Sequence, residues 1–186
     1  FWGNNLSLIH TNYGINDTTF TDTLINTVDY PYSYKVEIHN NSGLVDTPMI
    51  ASSMFLDIEA ADNELTLIFR KNIPWKNDHY IIYKQNKTNL EFDSLDVSPT
   101  DYYTDSKLKN GTKYCYKIKS IGSFDVDGFV NPIINYSQKN CGIPIDTVAP
   151  EPPILEVTSD CDNFFNILNW NNSSPTNEII KYNIYY

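Results

Sequence analysis

The 186 residues carry 13 Lys and Arg against 23 Asp and Glu, a formal net charge of −10 that repels phosphate backbones and anionic headgroups and argues against a nucleic-acid partner. Hydrophobic residues make up 41% and aromatics 14%, enough for a packed core, and a load of Asn, Asp, Thr and Tyr beside only 7 Gly and 2 Met favours strands and side-chain-supported turns. The sequence therefore predicts an all-β chain, and without the run of about 18 apolar residues that a membrane span needs, no direct membrane insertion is expected. The opening Phe1 and Trp2 suggest an excerpt of a longer protein.

In chain order, two internal repeats set the organisation. Phe20 to Thr23 followed by Tyr32 to Val36 reappears as Tyr103 to Ser106 followed by Tyr114 to Ile118. Leu67 to Phe69 followed by Tyr80 to Tyr83 reappears as Leu168 to Trp170 followed by Tyr182 to Tyr185. Three β-sandwich modules follow from these offsets: the C-terminal part of a first over 1–61, a complete one over 62–148, and a linker with the first strands of a third over 149–186. In the middle module, strands are expected at 64–70, 79–84, 90–97, 101–105, 113–121 and 131–138. Turn signals lie at Pro74-Trp75, Asn77-Asp78 and Asp127-Gly128. The Pro-bearing stretch from Gly142 to Pro153 reads as a semi-stiff connector, whereas Glu59 to Asn63 leaves almost no linker and implies a tighter joint.

The segment from Leu108 through Asn110, Gly111 and Thr112 to Tyr114, Tyr116 and Ile118 resembles the E–F corner of fibronectin type III domains. There an early Tyr of one strand sends its hydroxyl back to the backbone a few residues upstream, a role that falls on Tyr114 with Leu108 beside it. Phe69 with Tyr80 or Tyr83, and Trp170 with Tyr182 or Tyr185, are similar to the family's core aromatics. More narrowly, Pro74-Trp75, Tyr103-Thr104-Asp105, Asn135 to Gln138 with Cys141, and Ala149 to Pro153 before Cys161 resemble modules of large bacterial surface proteins of the gliding-motility and type IX secretion kind. That resemblance implies an exported, cell-surface or extracellular tandem array. In that subfamily a Cys commonly stands where this chain has Glu151, which leaves Cys161 without an obvious partner.

Of the three cysteines, Cys115 and Cys141 are centred on residue 128, inside the Asp127-Gly128 turn signal, so a hairpin brings them opposite each other. A disulfide there lies on the face opposite Tyr114 and Tyr116 and implies an oxidising compartment. A zinc site is the weaker alternative, since the cysteines and His10, His39 and His79 lack metal-ligand spacing. No cofactor is expected.

The chemistry candidates have plainer readings. Asp93, Asp96, Asp101 and Asp105 could pair as catalytic carboxylates, but read as strand-end and turn residues of an acidic surface. Asp125, Asp127, Asp160 and Asp162 could bind Ca²⁺, but suit Asx turns. Trp2, Trp75, Tyr102 and Tyr103 could stack on sugars, but fit core and corner packing, and Lys107, Lys109, Lys113, Lys117 and Lys119 fit a solvated sheet face. Thr23, Ser94 and Thr147, each after an Asp, resemble short acceptor motifs for O-linked glycans. The expectation is a non-catalytic spacer and surface-display array, adhesion or motility related. The alternatives are a glycan- or protein-binding module, or an accessory domain of a secreted enzyme or secretion complex.

Overall fold

A computed structural model describes residues 6–46, 49–171 and 179–186. The described residues are all-β, and the chain divides into two compact units, Phe1–Asp146 and Thr147–Tyr186. Trp2 lies outside the described residues.

In the first unit, β1 (Ser33–Tyr34) pairs antiparallel with β4 (Ala51–Ser52), and β2 (Ile38–Asn40) forms a hairpin with β3 (Gly43–Asp46). The rest is a β-sandwich-like body. A three-stranded sheet runs β5 (Phe55–Ala61), β6 (Glu64–Arg70), β9 (Tyr102–Asp105). A five-stranded sheet contains β8 (Phe92–Ser98), β7 (Lys76–Gln85) and β10 (Tyr114–Ser123), with β11 (Ile133–Tyr136) and β12 (Asn140–Gly142) both on the far side of β10.

Period-two alternation places the core between these sheets. Along β6, Leu65, Leu67 and Phe69 are buried while Glu64, Thr66, Ile68 and Arg70 are less so. Leu56, Tyr80, Ile82, Tyr116 and Ile118 meet them from β5, β7 and β10, so a single apolar cluster draws on both sheets. Gly142 lets β12 come close to this cluster: a Cβ there would sit 2.7 Å from Ile58 and 2.8 Å from Leu65.

The structure differs from the sequence reading at three places. The strand Phe55–Ala61 lies on the N-terminal side of the boundary expected at residue 61, yet all of it pairs with Glu64–Arg70 across an Asp62-Asn63 turn. Asn63 has φ 55°, the left-handed geometry of a tight hairpin that Asn tolerates. Just before the Phe55–Ala61 strand, the Ser52 hydroxyl accepts the Asn72 N–H at 2.7 Å and the Ser52 N–H donates to the Asn72 carbonyl at 2.8 Å. Asn77-Asp78, read as a turn, lies within β7 beside a register shift opposite Ile121 and Gly122. The last strand, expected over 131–138, ends at Tyr136 as β11, and β12 pairs with β10 separately beyond Ser137, whose hydroxyl accepts the Ile118 N–H at 2.9 Å.

In the second unit, β13 (Leu155–Asp160) pairs antiparallel with β14 (Phe165–Trp170) over their whole length.

Candidate functional site

The most connected polar constellation sits at the seam between the two sheets. Asp105 ends β9 in phase with Tyr103, so its side chain turns inward and is 8% exposed. It accepts hydrogen bonds from the Tyr116 hydroxyl and the Lys84 ammonium, each at 2.7 Å. One carboxylate thus ties β9 to β7 and β10 and joins the sheets. Burial and then the Asp105 carboxylate push the Tyr116 hydroxyl far above its ordinary pKa. Lys84 also lies 4.7 Å from the Tyr114 ring centroid, and Lys87 lies 4.1 Å from the same ring.

Next to this node, the Tyr114 hydroxyl accepts the Lys109 N–H at 3.1 Å, the geometry of a tyrosine corner. That hydrogen bond, helped by Lys87 and Lys84, draws the Tyr114 pKa below its ordinary value. Leu108 fills the core beneath it, and its N–H donates to the Asn63 carbonyl at 2.8 Å.

Both contacts recur earlier in the chain. The Tyr32 hydroxyl accepts the Asn26 N–H at 3.1 Å, and the Tyr34 hydroxyl donates to Asp22 at 3.2 Å. Tyr32, Tyr34, Asn26 and Asp22 stand 82 or 83 residues before Tyr114, Tyr116, Lys109 and Asp105. Pairing repeats as well: Ser33 faces Ser52 where Cys115 faces Cys141. A third contact recurs later. Phe69 packs on Tyr80 with ring centroids 4.9 Å apart, and Trp170 packs on Tyr182 at 5.4 Å.

Cys115 and Cys141 form a disulfide between cross-strand partners of β10 and β12, with Cα atoms 4.0 Å apart. It lies on the outer face of the larger sheet, in a row with Gln85 and Phe92, and Cys115 is nevertheless nearly covered. The same face carries Lys117, 5.0 Å from the Phe92 ring centroid, and Lys119, 5.8 Å from that of Tyr136. Cys161 is exposed and free.

The remaining candidates are dispersed. Asp101 pairs with Lys71 at 2.9 Å, which holds its carboxyl below the usual range, and Asp93 accepts from Asn86 at 3.1 Å. The acidic-surface reading is corrected at Asp105, which is buried because its strand alternation faces the other sheet. Asp125 accepts from Ser123, Asp160 caps its own turn through Asn163, and among the described residues no three or more His, Cys, Asp or Glu cluster. Trp75 donates to Asn77 at 3.1 Å and meets the Phe124 ring edge-on, while Tyr102 is exposed. Thr23, Ser94 and Thr147 are all exposed. An open hollow beside Thr66, Ile68, Arg70, Lys71, Asp101 and Tyr102 lies on the outer side of the smaller sheet.

No protein-family model matches the sequence, and a comparison with curated proteins finds none that matches it. Among solved structures, the crystal structure of a β-1,2-glucanase from Parabacteroides distasonis aligns with 53% of this chain and 13% of its own, at 20% identity and a TM-score of 0.39. At that level of likeness no functional property transfers to this chain.

Proposed function

We propose that the chain is a stretch of tandem fibronectin type III-like modules serving as a non-catalytic spacer and display segment of a large exported cell-surface protein. The observation that carries this reading is the recurrence of contacts. The corner hydrogen bond and the Tyr–Asp hydrogen bond occur twice, and the core aromatic pair occurs again in the second unit. A chain that repeats its internal fastenings at module spacing builds length, because each repeat closes on its own core. The disulfide is compatible with an oxidising, extracellular location. The likeness of the corner and linker motifs to surface-protein modules supports an adhesion- or motility-related host.

Replacing residues 55–146 in the full-length protein with an unrelated sandwich of equal end-to-end span tests the reading. Retained surface display and retained host function are expected. Loss of function with intact display, not restored by the unrelated sandwich, would instead favour specific binding. The exposed side chains of Val126, Phe129 and Val130 in the loop before β11 are where such binding would be sought first.

A further inference from the structure

The outer face of the larger sheet carries cations that the chain itself does not neutralise. Strand pairing sets Val97, Ile81, Lys119 and Tyr136 in one row across β8, β7, β10 and β11, and Ser94, Tyr83 and Lys117 in the next. Together with the row of the disulfide, Gln85 and Phe92, these hold no Asp or Glu, although the chain has 23 of them and a net charge of −10. The Lys139 ammonium joins this face, donating to the Gln85 side chain at 2.8 Å and lying 5.9 Å from the Phe92 ring centroid. Among the described residues, Lys117, Lys119 and Lys139 have ring faces and an amide as partners, but no carboxylate within ion-pair distance. The earlier repeat shows that the strand does not require this. Lys35 and Glu37 stand 82 residues before Lys117 and Lys119, and there they form an ion pair at 2.6 Å. In the middle sandwich a second Lys replaces the Glu, which sets two like charges about 7 Å apart along β10. A bound anion relieves that repulsion.

We infer that this face docks an acidic polysaccharide laid flat on the sheet. The ammoniums are partners for its carboxylate or sulfate groups, and the exposed Tyr136 ring and Val97 side chain offer apolar area to the flat faces of its sugar rings. An acidic peptide that adds a strand pairs at a sheet edge, whereas Lys117 and Lys119 lie on β10, flanked by β7 on one side and by β11 and β12 on the other. A nucleic acid carries a charge on every nucleotide, so the rest of this acidic chain repels it more than a polysaccharide whose acid groups are spaced out. Every strand of this sandwich lies inside the chain, so what the face exposes does not depend on where the chain begins or ends. The inference goes beyond the spacer reading, which rests on core and seams and does not involve this face.

Affinity electrophoresis of the whole chain at low salt tests it, with polygalacturonate and dextran sulfate in the gel, each beside its neutral form, methyl-esterified polygalacturonate or dextran. At least one acidic polymer is expected to retard the chain where its neutral form does not, and added salt should release it. Lys119→Glu restores the ion pair of the earlier repeat and should weaken binding roughly ten-fold or more. Lys107→Glu makes the same charge change at an exposed position between β9 and β10 and should leave binding within about two-fold. Lys117→Gln, which removes a cation and adds no charge, serves as the second variant should Lys119→Glu shift the urea midpoint. No retardation by either acidic polymer, equal retardation by the neutral forms, or equal weakening by Lys119→Glu and Lys107→Glu would overturn the docking. Tighter binding to poly-L-glutamate or to oligodeoxythymidylate than to either polysaccharide would overturn it as well. None of these results touches the spacer reading, which the module replacement tests through display and host function.

Discussion

Asp105 shows how one side chain can hold two sheets together. Its carboxylate serves both Lys84 and the Tyr116 hydroxyl. Asp105→Ala strands an ammonium and a hydroxyl at the seam and should cost about 2–3 kcal/mol. Tyr116→Phe removes a single hydrogen bond and should cost about 1 kcal/mol. Urea unfolding of the two variants, compared with the parent, checks the order. Tyr116 also predicts an alkaline effect. Its folded pKa lies above the unfolded value of 10.0, so the bound proton stabilises the fold below pH 10. Above pH 10 the unfolded chain ionises first and that stability drains away, at up to about 1.4 kcal/mol per pH unit for this one group. Denaturant titrations at pH 9 and pH 11 should therefore show a smaller loss in Tyr116→Phe than in the parent chain. The sequence did not reveal this node, because an Asp after Tyr-Thr reads as a strand end. The signal that could have found it is the recurrence of an Asp ahead of an inward Tyr, Asp22 with Tyr34 and Asp105 with Tyr116, at repeat offsets of 83 and 82 residues.

The strands explain why most of the sandwich could be read in advance. Alternation is strict along β6 and from Tyr116 to Gly122 in β10, and one face of each is buried, so register and side were both specified by the residues themselves. The same argument from the Asp127-Gly128 turn put Cys115 opposite Cys141, where the disulfide is found. Where the reading failed, hydrophobicity was not the deciding variable. The β5–β6 hairpin turns on Asp62-Asn63, inside the Glu59 to Asn63 stretch whose shortness in sequence resembles a tight module joint. Replacing Cys115 and Cys141 together by Ser, the pair found at Ser33 and Ser52, should lower stability by about 3 kcal/mol through loss of the loop constraint. Gly142→Ala should cost about 1–3 kcal/mol by overpacking, because Ile58 and Leu65 would have to move. Both are read from chemical unfolding midpoints, and an unchanged midpoint for Gly142→Ala would show that β12 does not approach the core so closely.

At the scale of the molecule, the repeats visible in the sequence carry over into repeated contacts, whereas function leaves little local trace. On the proposed spacer reading, the residues that matter are those of the core and seams, buried or bridged rather than gathered in a cleft. The most direct test of the modular account is to stretch the whole chain between its ends by single-molecule force, with and without reductant. One principal rupture is predicted, that of the sandwich from Phe55 to Gly142. After reduction the released length should grow by about 90 Å, the 26 residues spanned by the disulfide at ~3.5 Å each. A chain that extends with no distinct rupture, or whose released length is the same in both redox states, would contradict the account.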